Sequence, residues 1–303
     1  MSVCESRRLF PGSARFVCPF TALILCLVLW GCRQVPVSGR RQLLLSDEAQ
    51  EIQLGVTTFQ DILGQKPLSR NEQYVQMIER VGRRIAAVAG RDDYDWEFKV
   101  IADSTQNAFC LPGGKVAFYE GIIPVCQSEA GAAVVMSHEI AHALSRHGGE
   151  RMAHARARSI GQQGVELLGQ WAFKNRYEEN REIVQAAYGL GSQYGAILPF
   201  SRKHESEADL IGIKLMARAG YDPSEAPRFW ERFAAAKSSG ANQPEWMSTH
   251  PSDTRRAADL RQSLPEAMSI YNAASQQYGL GERLATVEST NLTLPLVSDT
   301  SIQ

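Results

Sequence analysis

The pentapeptide HEIAH at residues 138–142 is the feature that most constrains this chain of 303 residues. It lies in an apolar run, residues 132–144, whose composition predicts a buried helix. Residues four apart share one helix face, so His138 and His142 can both reach one Zn²⁺ at about 2.0–2.1 Å. Glu139 stands beside the first histidine, where it can take a proton from zinc-activated water. Two core histidines beside an unrelated glutamate remain the alternative.

A third ligand would strengthen the metal interpretation, and one class of zinc site is excluded at once. The pattern HExxHxxGxxH requires glycine and histidine where this chain has Ser145 and Gly148. His147 is one residue out of place for that pattern. We expect His147 to be an exposed or helix-end histidine.

The other solution places a glutamate on a second helix, with an aspartate four residues later. Glu166 fails this test because Gln170 occupies the fourth position after it. Glu205 passes, since Asp209 follows one helical turn later on the same face. Glu205 could therefore bind the metal while Asp209 orients a ligand histidine. For Glu207 we expect a solvated face.

With these residues in view, the chain resembles zinc metallopeptidase family 48. These are the gluzincins that include the CAAX prenyl endopeptidase, HtpX and periplasmic bacterial lipoprotein proteases. The resemblance extends from residue 37 to residue 251 and is carried by these segments: Val37-Ser38-Gly39-Arg40-Arg41-Gln42-Leu43, Asn107-Ala108-Phe109, Pro112-Gly113-Gly114, HEIAH with His147, Ser201-Arg202-Lys203-His204-Glu205-Ser206-Glu207-Ala208-Asp209, and Thr249-His250-Pro251.

The resemblance implies one zinc ion bound by His138, His142 and Glu205, with Glu139 as the catalytic base. It also implies that His250 can approach the zinc, either occupying the fourth position or stabilising the oxyanion. A surface loop histidine is the alternative. The expected fold is α+β, a mostly helical zincin-like domain with a small β-sheet beside the active-site helix.

Residues 107–121 precede the zinc helix and are expected to form a strand along the cleft. In such a site an extended peptide pairs with an exposed edge strand. The candidate substrate-strand residues are Asn107, Gly113, Gly114, Lys115 and Val116. An ordinary hairpin turn at the two glycines is the alternative.

The first residues predict a targeting segment rather than part of the folded domain. Three arginines precede an apolar run over residues 16–30, which is typical of a secretory signal. Leu29-Trp30-Gly31-Cys32 resembles the bacterial lipobox, so we expect a signal peptide over 1–31, lipid on Cys32 and a tether over 32–45. The expected location is the periplasmic face of a bacterial outer membrane, with a signal anchor as the alternative.

Residues 46–283 are predicted to form the metallopeptidase domain, and 284–303 a disordered tail. A formal net charge of −1, from 32 basic and 33 acidic residues, argues against nucleic acid as a partner. Behind the signal segment and Cys32 only Cys110 and Cys126 remain. We expect both to be reduced, although an oxidising compartment would permit a disulfide.

Two functions from different classes fit these observations. The first is a zinc endopeptidase that hydrolyses unfolded or misassembled envelope proteins in quality control. The second is a lipoprotein chaperone or assembly factor of the outer membrane with little or no proteolysis. An intact Glu139 favours the first.

Overall fold

The computed structural model describes residues 32–35, 38–163, 201–238, 246, 250 and 255–279. Its strands are β1 (Cys32–Gln34), β2 (Arg41–Leu43), β3 (Glu97–Ile101), β4 (Ala108–Leu111) and β5 (Lys115–Tyr119). Its helices are α1 (Glu48–Gln65), α2 (Glu72–Ala86), α3 (Ile123–Cys126), α4 (Glu129–Leu144), α5 (His147–Gln163), α6 (Arg202–Arg218), α7 (Glu225–Ser238) and α8 (Arg256–Ala273). The expected mostly helical α+β fold is confirmed. The predicted signal peptide and the predicted disordered tail lie outside the described residues.

The main sheet has three strands in the order β3-β5-β4. Strand β5 is parallel to β3 and antiparallel to β4. Between β4 and β5 the chain turns at Gly113 and Gly114, whose φ angles of 83° and 80° lie in the left-handed region that favours glycine. The hairpin reading of these glycines is therefore the one observed.

The register of the sheet corrects part of the expected substrate strand. Lys115 pairs with residues of both neighbours, and so does Val116, because β5 is the central strand. Their backbone groups are engaged on both sides and cannot pair with a peptide. Among the described strands, β4 is the one at the edge next to the zinc helix, with its outer side unpaired.

Helix α4 forms the centre of the core because nearly every side of it is covered. Its residues from Glu129 to Ala143 are buried, which is the pattern of a helix surrounded by other elements. Helix α6 packs closely on α4 at Gly212, where a Cβ atom would lie 3.2 Å from the backbone nitrogen of His138. The small residue thus allows the second metal-site helix to approach the first.

The segment expected to be a tether is folded onto the domain. β1 and β2 pair antiparallel, and the carbonyl oxygen of Arg40 accepts a hydrogen bond from the Val35 amide at 2.8 Å. The Val35 side chain is buried in the core. The guanidinium of Arg40 pairs with Glu150 and Glu207, which anchors the turn.

The helix that carries the metal motif ends before the two glycines at positions 148 and 149. α4 ends at Leu144, and Arg146 takes a left-handed conformation with φ of 52°. Gly149 instead lies in the first turn of α5, where a Cβ atom would come within 2.3 Å of Glu51 Oε1. Glu51 in turn forms a bidentate pair with Arg146, the residue at the break, and its carboxylate leaves no room for a Cβ atom at position 149.

Helix α1 begins after an aspartate cap, because Asp47 accepts from the Gln50 amide at 2.8 Å. The preceding Ser46 donates to Glu51. Cys110 and Cys126 are buried free thiols.

In the described part of the chain no helix combines the length and apolar character required to cross a bilayer.

The core predicts a simple stability difference. Ile78 of α2 is fully buried, so Ile78→Ala should lower the free energy of unfolding by about 2–5 kcal/mol through lost contacts and a cavity. Leu68→Ala also removes an aliphatic side chain, but from a site that is 44% exposed. It should change the free energy of unfolding by no more than about 0.5 kcal/mol. Urea denaturation followed by circular dichroism measures both. Equal losses would contradict the assigned core.

Candidate metal centre

Four side chains from three parts of the chain place ligand atoms together. His138 and His142 come from α4, Glu205 from α6, and His250 from the segment before α8. His138 Nε2 lies 3.1 Å from His142 Nε2 and 3.3 Å from Glu205 Oε2. His142 Nε2 lies 3.5 Å from Glu205 Oε1. All four side chains are buried.

These distances fit a single zinc ion. Two atoms bound at about 2.0–2.1 Å to one tetrahedral zinc are about 3.3–3.4 Å apart. Two imidazole nitrogens and a carboxylate oxygen are also the donor set of a catalytic zinc site with one position left open. His250 Nδ1 lies 3.3 Å from His138 Nε2 and 3.2 Å from Glu205 Oε1, on the side of that fourth position.

Asp209 orients the first histidine. Its Oδ1 atom lies 3.0 Å from His138 Nδ1, so the Nδ1 proton is held by the carboxylate and Nε2 is left to bind metal. Burial opposes the charge of Asp209, but the charge of Arg256 and the hydrogen bond from His138 keep its pKa below the ordinary value. The carboxylate therefore stays ionised beside the ligand.

Arg256 is a functional residue that the sequence analysis missed. Its guanidinium donates to Asp209 from Nε at 2.6 Å and lies 2.8 Å from Glu205 Oε2 through Nη1. The same group stacks 3.5 Å from the ring of Trp230. A signal was available, because Arg256 shares the buried face of α8 with Leu260, four residues later. One buried cation thus compensates two buried carboxylates.

Glu139 lies next to the ligands in a cavity lined by Cys110, Pro112, His142 and Arg146, among others. Burial raises the pKa of Glu139, which moves the carboxylate toward the range useful for a general base. The indole Nε1 of Trp246 donates to Glu139 Oε1 at 2.7 Å, and His250 Nε2 lies 3.5 Å from the same oxygen. Trp246 carried no signal in the sequence analysis.

The expected substrate-strand residues are divided by the structure. Asn107 lies directly before the edge strand β4, and its carbonyl oxygen accepts from the Tyr119 amide at 3.0 Å. Gly113 and Gly114 form the turn, while Lys115 and Val116 lie in the central strand. Cys110 of β4 shares the cavity with Glu139, so β4 runs beside the candidate catalytic base.

Two expectations of solvent exposure are wrong. His147 is fully buried, although it does begin helix α5, in agreement with the helix-end alternative. Glu207 is buried rather than on a solvated face. Their side chains meet, with His147 Nε2 2.9 Å from Glu207 Oε2. Arg40 and Ser38, from the folded N-terminal segment, also bond to Glu207. Sequence periodicity could not reveal this, because all of the partners are distant in the chain.

The family follows from comparison with known proteins. A model described as Peptidase family M48 matches residues 72–264, which include α4, α6 and the start of α8. The chain is a member of peptidase family M48. The resemblance expected from the sequence is confirmed. Zinc is the metal of M48 metallopeptidases, and the His-His-Glu-His group supplies donors for it, so the expectation of zinc is confirmed as well.

Individual relatives agree with this membership. The chain is 37% identical over 77% of its length to the mitochondrial metalloendopeptidase OMA1 of Schizosaccharomyces pombe, and 31% identical over 82% to that of Saccharomyces cerevisiae. It is 28% identical over 77% to the β-barrel assembly-enhancing protease of Escherichia coli. The matches span 66%, 75% and 47% of those relatives' own lengths. These names support a metalloendopeptidase.

The expected location is wrong. The relatives matched at 37% and 31% identity are mitochondrial proteins, which overturns the prediction of a bacterial outer-membrane lipoprotein. That prediction depended on four residues, of which Trp30 is larger than a lipobox accommodates. Basic residues before an apolar run are shared by targeting segments of different membranes, so the pattern does not identify one.

Arg256 provides the test of charge compensation at the site. Arg256→Met should lower the free energy of unfolding by about 3–5 kcal/mol, because Asp209 and Glu205 lose their buried cation. Arg228→Met, at a position 59% exposed, removes a surface pair and should cost no more than about 1 kcal/mol. Denaturant titration of the zinc-free proteins measures both. A loss for Arg256→Met as small as the control's would show that Arg256 does not stabilise the site.

Proposed function

We propose that this chain is a zinc endopeptidase that hydrolyses peptide bonds in unfolded or misassembled proteins. The observation that carries the proposal is the buried group of His138, His142 and Glu205 with Glu139 beside it. Protein quality control is supported by the relatives, which are metalloendopeptidases. An unfolded chain would be a suitable substrate because an extended peptide could add to the unpaired outer side of β4, whose residues are buried until the site opens.

In the proposed reaction His138, His142 and Glu205 hold the zinc, and the ring of His138 is oriented by Asp209. The zinc supplies Lewis-acid polarisation of the peptide carbonyl and makes water more acidic. Glu139 takes one proton from the attacking water and delivers it to the leaving amine as the carbon–nitrogen bond breaks. The aromatic rings of Trp230 and Trp246 limit water around His138.

The substrate is proposed to add to the edge strand β4. An extended peptide there would pair through its main chain and bring its scissile carbonyl beside Glu139, which shares a cavity with Cys110 of that strand. Recognition through the main chain predicts loose sequence preference. Of the five residues expected to contact substrate, Asn107 lies directly before β4 and remains compatible with this path, whereas Gly113 and Gly114 form the hairpin turn.

Access to the site is proposed to be restricted by Trp246 and His250. The Trp246 amide donates to the carbonyl oxygen of Gln106 at 3.0 Å, directly before the edge strand. Its indole Nε1 donates a hydrogen bond to Glu139 Oε1, and His250 Nδ1 lies 3.3 Å from His138 Nε2. A substrate needs these same positions, so this arrangement corresponds to a latent enzyme that must open before turnover.

The same contacts favour a second candidate function. A protein whose catalytic base is covered could hold clients at the cleft and seldom cut them. The name of the Escherichia coli relative, which refers to assembly as well as to a protease, is compatible with such a role. The Glu139 variant separates the two candidates.

Glu139→Gln removes the base and keeps the size of the side chain. We expect cleavage of an unfolded protein such as casein to fall by at least about 10³-fold, because proton transfer is lost while zinc binding is kept. The measurement is a time course on a gel with zinc present, and removal of zinc by a chelator should abolish wild-type cleavage equally. Glu79→Gln on the exposed face of α2 is the matched control.

If wild type and Glu139→Gln cleave equally, the assignment of Glu139 fails. If neither cleaves while both keep clients from aggregating, the holding function is favoured.

His250→Ala should raise the rate of cleavage, because it uncovers the fourth position on the metal side of the site. We expect the cleavage rate to increase by about 5-fold or more. A 5-fold increase corresponds to a loss of about 1 kcal/mol from the free energy by which the wild type favours its closed state. Initial rates on the same unfolded substrate measure the effect. A lower rate would instead assign His250 to stabilisation of the transition state.

A further inference from the structure

The second zinc ligand has a support that differs from that of the first. His138 is held directly by a carboxylate, but the Nδ1 atom of His142 lies 2.9 Å from Nδ1 of another histidine, His147. The far nitrogen of that ring, His147 Nε2, lies 2.9 Å from Glu207 Oε2. Both His147 and Glu207 are buried, so bulk water does not compete for these contacts.

The chain of contacts continues into the N-terminal turn. Arg40 Nε donates to Glu207 Oε2 at 2.7 Å, and the hydroxyl of Ser38 donates to Glu207 Oε1. A guanidinium and a hydroxyl thus converge on this buried side chain. A carboxylate paired with arginine in this way is ionised, and it accepts hydrogen bonds.

The proton positions follow from this charge. Because Glu207 accepts, Nε2 of a neutral His147 carries the proton, and Nδ1 of His147 is the accepting atom. The Nδ1 atom of His142, 2.9 Å away, is then assigned as the donor. A neutral His142 protonated at Nδ1 has its remaining electron pair on Nε2, the atom that faces His138 and Glu205.

We propose that Arg40, Glu207 and His147 form a positioning relay that fixes the tautomer and ring orientation of the zinc ligand His142. The proposal rests on the proposed zinc site and deepens it. It assigns the folded turn at residues 38–41 to the metal centre, although that turn contributes no ligand. Glu207 does for His142, through one intervening ring, what Asp209 does directly for His138.

Arg40 also bonds to Glu150, through Nη1 at 2.9 Å and Nη2 at 2.6 Å. Glu150 in turn lies 3.0 Å from His204 Nε2, and the His204 ring stacks on His147 at 4.4 Å between centroids. If this network served only to pair charges, Arg40 and the carboxylates of Glu150 and Glu207 would be sufficient. The ring-to-ring contact between His147 and His142 is the feature that directs the network at the ligand.

The test measures zinc affinity by competition with a chromophoric chelator, so its readout does not depend on proteolysis. The variants are His147→Leu, Glu207→Leu and Arg40→Leu in the full chain. We expect the zinc dissociation constant to rise by about 10–100-fold for His147→Leu and Glu207→Leu, which is the usual effect of losing such a partner. Arg40→Leu, one step farther away, should give a smaller rise.

Glu129→Gln is the matched control. Glu129 is a buried carboxylate that bonds to Arg80, Arg84 and Tyr221, about 13 Å along α4 from His138. Its loss should destabilise the fold while leaving the zinc dissociation constant within about 2-fold, since distant sites act independently. Thermal unfolding of the zinc-free proteins shows how much of each effect is general stability.

Visible absorption of the cobalt-substituted proteins adds a readout of ligand geometry that a structural role would not move. We expect altered bands for His147→Leu and Glu207→Leu and an unchanged spectrum for Glu129→Gln. If Glu207→Leu does not fold, Glu207→Gln keeps the size of the side chain and should still weaken zinc binding. Wild-type affinity and spectrum in the relay variants would overturn the relay, whereas failure of the wild type to bind zinc would overturn the proposed function itself.

Discussion

The packing of α6 against α4 is the contact on which the metal centre depends. Glu205, Asp209 and Gly212 lie at successive turns of α6, so they share the face that meets α4. Gly212 lets the two backbones approach at His138, which brings one carboxylate to the ligand atoms and the other to the back of the ring. A Cβ atom at this position would require the α4 backbone to move by a few tenths of an ångström at His138.

This close packing buries several charges, and the rest of the structure compensates them. Arg256 from α8 pairs with both carboxylates of α6 that face the site. On the opposite side Arg40 pairs with Glu207 and Glu150. Leaving such groups unpaired would cost several kcal/mol each, so the N-terminal turn and the last described helix are required by the centre that they surround.

The pattern of the sequence predicted the ligand helix well, because two histidines four residues apart on an apolar helix can bind one metal ion from the same face. The pair Glu205 and Asp209 was found for the same reason, since helical spacing is local information. The sequence pattern did not predict which strand lies at the edge of the sheet. Which of β4 and β5 is central depends on pairing with β3, and no local pattern in residues 107–121 encodes that order.

The sequence alone placed His138 with His142, and Glu205 with Asp209, on shared helix faces through the period of the α-helix, and the structure brings these side chains together. Only the tertiary structure decided the roles of Arg256, Trp246, Arg40 and the pair of His147 and Glu207. The physical reason is that burial and ion pairing arise when distant segments meet. A glutamate on a helix looks solvated until the arginine that neutralises it, 167 positions away, folds against it.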